Sequence, residues 1–196
     1  MTRSILMHDT RPTIALLAAG QARRFGGGKF DQDCAGRPLG AWAALAAERA
    51  GFERRILIVG REKPRFADLL QGWELVVNPT PENGLPTSVN CAARAAGASR
   101  RLVLALADMP LVTATHLALL RDSKTICFTA YPDGSKGVPA GFPSSAIGSL
   151  CTLLRSAADV EWKQPVSTLA PASADLLRDV DTRVELAIAE ELLRER

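Results

Sequence analysis

Solid apolar runs, separated by stretches rich in Ala and Leu, constrain the fold of this chain more than any other feature. The runs are "TIALLAA" (13–19), "RILIVG" (55–60), "ELVVN" (74–78), "RLVLALA" (101–107), "TICFTAY" (125–131) and "DLLRDVD" (175–181). Each has the length of a strand, and a continuous rather than alternating run predicts burial on both faces, as in a parallel sheet covered by helices. Between them lie "PLGAWAALAAERAG", "KPRFADLLQG", "PTSVNCAARAAG" and "VTATHLALLRD". Prolines near their starts and glycines after "ERA" and "RAA" suit helix termini. The closing "TRVELAIAEELLRER" carries apolar residues at helical spacing. Strand and helix in alternation predict a three-layer α/β sandwich built from right-handed βαβ units.

A chain of 196 residues has room for one well-buried core, which predicts a flexible start over residues 1–12 and a single domain over 13–196. The net charge of +3 provides no broad polyanion-binding face, so nucleic acid is not an expected partner. No apolar run is long enough to span a membrane, and "MTRSILMHDTRP" lacks the pattern of a signal peptide. Cys34, Cys91, Cys127 and Cys151 form no CxxC unit and are accompanied by only His8 and His116. That spacing disfavours structural zinc and a disulfide framework; it suits scattered thiols in a reducing cytoplasm.

In parallel sheets ligands gather where strands end, near the point at which strand order reverses. Three loops that follow apolar runs carry unusual residues. The first, "GQARRFGGGK" (20–29), joins glycines to cations, a combination that lets exposed N–H groups and positive side chains cradle phosphate. It is not a Walker A loop, because Arg23 stands where the first glycine belongs and Phe30 where Ser or Thr belongs. Nor is it a Rossmann fingerprint, which from Gly26 would require glycine at Asp31. The second loop, "LADMP" (106–110), places Asp108 between an apolar run and Pro110, either as an oxygen ligand suited to Mg²⁺ or as a cap for the helix beginning near Thr113. In the third, "DVDT" (179–182), strand alternation would point Asp179 and Asp181 to one side; alternatively Asp181 or Thr182 caps the last helix, with Glu185 completing a capping box behind Thr182.

Several long motifs occur together and in order: "LAAGQARRFGGGK" (17–29), "GRPL" (36–39), "NPTPENGLPTSV" (78–89), "LALADMPLV" (104–112), "GVPAGF" (137–142) and "DVDTRVEL" (179–186). In these the chain resembles the molybdenum cofactor cytidylyltransferases of the nucleotidyltransferase superfamily. The resemblance implies a Rossmann-like α/β/α nucleotidyltransferase fold with a mostly parallel central sheet. It implies Mg²⁺-dependent transfer of CMP from CTP to a phosphorylated acceptor, molybdopterin in that family, with release of pyrophosphate and a possible molybdoenzyme partner. It assigns Leu17, Ala18, Ala19 and Gly20 to the base and ribose pocket, and Arg24 and Lys29 to the triphosphate. Asn83, Gly84 and Ser88 fall to base recognition, and Asp108 with Asp181 to the metal, Asp179 standing behind them. Arg24, Lys29 and Asp108 are then the catalytic set.

The acceptor half departs from that pattern. Val138 stands where the molybdenum enzymes usually have histidine, and in place of their Gly-Asp-x-Gly-Ala segment the chain runs "CTLLRSAADVEWKQPV", with Asp159 and no neighbouring glycine. The altered stretch, 155–164, keeps open an enzyme acting on another small phosphate, such as a polyol or sugar phosphate, and a nucleotide-binding regulator or chaperone without turnover. "YPDGSKGVPAG" (131–141) reads as a turn-rich segment that either closes over an acceptor, with Lys136 on a phosphate, or forms only a hairpin turn. Trp42, Trp73, Trp162 and His116 read as packing residues, and the aspartates flanking Cys34 disfavour its thiolate.

Overall fold

The structure, a computed structural model, describes residues 11–20 and 24–196; most of the segment expected to be a flexible start, residues 1–10, lies outside them. In chain order the elements are β1 (Pro12–Ala18), a short hairpin of β2 (Asp33–Cys34) and β3 (Arg37–Pro38), α1 (Leu39–Arg49), β4 (Arg54–Val59), β5 (Glu74–Val77), α2 (Leu85–Ala96), β6 (Arg101–Leu106), α3 (Ala114–Asp122), β7 (Ile126–Ala130), β8 (Lys136–Pro143), α4 (Ser144–Leu150), β9 (Val166–Leu169) and α5 (Arg183–Arg194). Seven strands form one sheet in the order β5-β4-β1-β6-β8-β7-β9. β1 pairs in parallel with β4 and β6, while β8 runs antiparallel to both β6 and β7, so the sheet is mostly parallel.

The alternation of β1 sorts its side chains between two cores. Ile14 and Leu16 pack with Leu57, Val103, Ala43 of α1 and Leu117 of α3 on one face. Ala15 and Leu17 pack with Ile56, Leu104, Ala92 of α2 and Ile147 of α4 on the other. Burial on both faces explains why the run is solid rather than alternating. From β1 the chain steps outward to β4 and β5, then returns to place β6 on the opposite side of β1. That reversal opens a crevice beyond the carboxyl ends of β1 and β6, where sheets of this kind bind ligands.

Several elements differ from the sequence expectation, and α4 and β9 lie in stretches for which it named none. "DLLRDVD" is not a strand: residues Ala174–Leu177 form a 3₁₀ turn whose start is capped by the Ser173 hydroxyl accepting the Asp175 N–H. Adjacent Leu176 and Leu177 are both buried, which strand alternation against a single core would not allow. "KPRFADLLQG" contains only the 3₁₀ turn Arg65–Leu69, anchored by buried Phe66. The stretch 131–141 forms the hairpin turn read from its Asp-Gly, and it runs on into β8, paired antiparallel with β7, whose two prolines and two glycines hide the strand pattern. Gly141 is required there: a Cβ would lie 2.4 Å from Nη2 of buried Arg101 and 2.7 Å from the Leu120 carbonyl. Arg101 in turn donates to the carbonyls of Leu120 (2.5 Å) and Thr125 (3.0 Å), and its burial pushes the guanidinium down to about 10.

Candidate active site

The crevice gathers side chains far apart in the chain. Lys29 stands in the 3₁₀ turn Lys29–Asp31 and is only 4% exposed. The turn is fixed to the neighbouring one by Asp31, whose carboxylate accepts the N–H groups of Phe66 (2.7 Å) and Arg65 (3.0 Å). Lys29 Nζ thus arrives between two acids, donating to Asp108 Oδ2 at 2.5 Å, Asp181 Oδ1 at 3.0 Å and the Val180 carbonyl at 3.0 Å. The exposed Arg24 makes an ion pair with the other oxygen of Asp181.

The third loop reaches the first two without a strand. Val180 is 1% exposed and donates its N–H to the Asp108 carbonyl at 2.9 Å, which ties "DVDT" to "LADMP". Beyond it Thr182 caps α5 in a full capping box: its hydroxyl accepts the Glu185 N–H (3.2 Å), and Glu185 Oε2 accepts the N–H groups of Thr182 (2.7 Å) and Asp181 (2.8 Å). The predicted cap therefore also holds the backbone of Asp181. The paired placement of Asp179 and Asp181 on one strand face is not realised, because the backbone is anchored through buried Val180; Asp181 joins the cluster and Asp179 is exposed. The other predicted cap, Thr113, accepts the His116 N–H at 3.2 Å, so Asp108 does not serve α3 in that way.

Burial and pairing oppose each other at these groups. Burial would lower the Lys29 ammonium, but two carboxylates outweigh it and hold the group above its usual range. For Asp108 burial dominates: it pushes the carboxyl up, Lys29 offsets this only in part, and Asp179 adds to the rise. The asymmetry follows from the count of partners, since one ammonium serves two acids. Partial burial pushes Asp181 up as well, yet Lys29 and Arg24 together hold it below the usual carboxylate range.

Among the described residues, the second oxygen of Asp108, Oδ1, is a buried polar atom without a hydrogen-bond partner. An orphaned carboxylate oxygen beside a second carboxylate is a donor set suited to a hard divalent cation. No group of three or more His, Cys, Asp and Glu converges among the described residues, so such an ion would draw further ligands from substrate oxygens or water.

The crevice has two adjoining lobes. One, of about 420 Å³, is lined by Ala18, the glycine loop and Arg61–Pro64; the other, of about 450 Å³, by Leu17, Arg24, Ser88, Asp108 and Asp181, and both share Ala19, Gly20 and Lys29. Of the residues expected to contact nucleotide, Leu17, Ala18, Ala19, Gly20, Arg24, Lys29, Gly84 and Ser88 line these lobes. Asn83 is exposed and does not line either lobe; Glu82 takes its place on the wall. Sequence reasoning passed over Asn78, which is fully buried and donates from Nδ2 to the hydroxyls of Thr87 (2.8 Å) and Ser88 (3.0 Å) while Oδ1 accepts the Thr80 N–H (3.0 Å). A polar residue closing an apolar run was the available signal. Cys34 is disfavoured as a thiolate chiefly by burial, with Glu190 and Asp33 adding to it, and its pKa rises to about 11.

A family model described as the MobA-like NTP transferase domain matches residues 14–178. The bifunctional protein GlmU of Geobacter metallireducens is 32% identical over 102 residues, which are 50% of this chain and 21% of that protein. The chain thus spans about a fifth of the length of that curated relative. Rv0371c from Mycobacterium tuberculosis is 28% identical, with a TM-score of 0.77 over 94% of this chain and 100% of that one, and a second structure of Rv0371c is a complex with manganese. A nucleotidyl transferase from Methanothermobacter, at 16% identity and a TM-score of 0.79 over 95% and 99% of the two chains, shares the fold.

Proposed function

The chain belongs to the MobA-like NTP transferase domain family, whose reaction class is nucleotidyl transfer, and from that premise we propose that it moves CMP from CTP to a phosphorylated small molecule. An acceptor phosphate oxygen attacks the α-phosphorus, the bond from that phosphorus to the α,β-bridging oxygen breaks, and pyrophosphate leaves. The nucleophile is already an oxyanion, so no general base is needed; catalysis is alignment and neutralisation of charge. The observation that carries this reading is the convergence of Arg24, Lys29, Asp108 and Asp181 at the switch point of the sheet.

Each residue has a distinct role in it. The main chain at Ala18, Ala19 and Gly20, with Leu17, borders the two lobes and receives base and ribose, while Gly84 and Ser88 face the base; Asn78 fixes the Ser88 hydroxyl from behind. Arg24 presents an exposed planar fork to the phosphates, and Lys29 a buried point charge. Asp108 and Asp181 would hold Mg²⁺, which when bound supplies positive charge to the phosphate oxygens. Asp179, exposed beside them, contributes to the local field.

Family membership favours molybdopterin as acceptor. A different small phosphate is the second reading, favoured by Val138 and Arg155, which replace the expected acceptor residues and line one further cavity. The test is pyrophosphate release by the full chain with Mg²⁺, each nucleoside triphosphate, and molybdopterin, sugar phosphates or polyol phosphates as acceptors. Release requiring both CTP and an acceptor is expected, and Asp108→Asn should lower it at least about 100-fold. Wild-type turnover in that variant would remove Asp108 from the mechanism. Nucleotide binding with no pyrophosphate in any mixture would favour a regulatory role.

A further inference from the structure

A third cavity, of about 250 Å³, lies between the N-terminal turn of α2, the β7–β8 hairpin and the segment around Ser156. It adjoins the crevice: Leu85 lines both, and on β6 Leu104 faces this cavity while Leu106, two residues on and so on the same face of the sheet, faces the lobe containing Asp108. Tyr131 stands on its wall, and burial, with the Asp179 and Asp108 carboxylates adding to it, pushes its phenol up to about 12. The neutral phenol donates to the Val138 carbonyl at 2.5 Å, which spends its polar group on the wall itself.

The interior is apolar, formed by Val89, Leu104, Phe128, Val138 and Ala157, and among the described residues no Asp or Glu lines it. The two charged side chains that line it among the described residues are both cations, Lys136 and Arg155, each exposed. Lys136 Nζ lies 5.4 Å from the centroid of the Phe128 ring, which places the charge over the floor of the cavity. A small apolar chamber rimmed by two cations excludes a hydroxyl-rich body, whose polar groups would lose water without gaining partners, and favours an anionic substituent.

The geometry points to this cavity as the seat of the acceptor's body, and to an acceptor that is a small phosphomonoester with a weakly polar body and a second negative group received by Lys136 and Arg155. The inference rests on the transferase reading, since it assigns the acceptor's reacting phosphate to the Asp108 end and its remote anion to the rim. It also gives the altered segment a role: Arg155 supplies a charge at the rim and Ala157 part of the apolar wall.

Isothermal titration of the full chain with 4-carboxyphenyl phosphate, phenyl phosphate and glycerol 3-phosphate tests it. The expected order of affinity is 4-carboxyphenyl phosphate, then phenyl phosphate, then glycerol 3-phosphate. Arg155→Glu and Lys136→Glu should each weaken the first by about tenfold or more and abolish its advantage over the second. Bound CTP should not displace it. Equal affinity for all three esters, no detectable binding, indifference to both charge reversals, or displacement by CTP would each overturn the proposal. A chain that binds the aryl phosphates in this pattern but fails to bind CTP would leave the cavity assignment standing and defeat the transferase reading instead.

Discussion

Replacing Lys29 by methionine removes one charge while keeping most of the side-chain volume, and its consequences can be worked through from the cluster. Lys29 is 4% exposed and its two acids are 15% (Asp108) and 25% (Asp181) exposed, so the ion pairs are largely shielded from water. Removing one partner of a buried pair costs about 3–5 kcal/mol, because the remaining charge is left uncompensated. Asp181 keeps Arg24, which confines the loss to Asp108 and sets the expectation at the lower end, about 3 kcal/mol near pH 8. For a domain of this size that corresponds to roughly 6–12 °C in Tm. Asp108 is already pushed up by burial, and without Lys29 it rises further. Its folded-state pKa then lies above the unfolded value, the folded chain binds the extra proton, and stability is recovered as pH falls. Urea unfolding followed by circular dichroism should therefore show a large deficit at pH 8 and a smaller one at pH 5.5. Millimolar Mn²⁺ should stabilise Lys29→Met more than the wild type, since the ion restores positive charge between the acids. A deficit under about 1 kcal/mol at pH 8 would refute the reasoning, because that is the scale of a solvent-screened pair. An identical response of both proteins to Mn²⁺ would refute its second half.

Gly141→Ala forces a methyl group against buried Arg101 and the Leu120 carbonyl, and should lower unfolding free energy by about 1–3 kcal/mol in urea titrations; an unchanged midpoint would mean that the contact relaxes freely. Asn78→Ala strips partners from Thr80, Thr87 and Ser88 and should cost about 1–3 kcal/mol, together with weaker CTP binding by calorimetry; loss of stability with unaltered CTP affinity would separate Asn78 from the site. His116 donates from Nε2 to the Thr129 hydroxyl at 2.8 Å, that hydroxyl being committed to the Pro139 carbonyl at 2.6 Å, and burial holds the imidazole below its usual pKa. The unfolded chain therefore takes up the proton first, so the stabilisation present above about pH 6.5 is lost as pH falls below it. His116→Gln should flatten the stability profile between pH 7.5 and 5.5, and parallel profiles for the two proteins would exclude His116 as the cause.

Five of the six apolar runs are strands, and their solidity announced the doubly covered sheet. The reason is local: burial on both faces leaves no polar position in the run, so β1, β4 and β6 declare themselves without reference to their neighbours. Capping is also local, and Thr182 with Glu185 and Thr113 at α3 were legible for that reason. β8 was not, because its pairing with β6 and β7 compensates for prolines and glycines that have low intrinsic strand preference. Residues 175–181 erred in the opposite direction: two adjacent leucines imitate a strand, but no partner is available, since β9 occupies the edge beside β7.

The sequence by itself determined the layer architecture, the family, and the three loops that meet in the crevice, because periodicity, capping and ordered motifs are properties of short stretches. Only the tertiary structure decided that Lys29 lies between Asp108 and Asp181, that Val180 rather than a strand positions the second acid, and that Arg155 and Lys136 rim one cavity. Those relations join residues up to 152 positions apart, and distances across a folded core depend on how helices pack on the sheet, which no local pattern encodes.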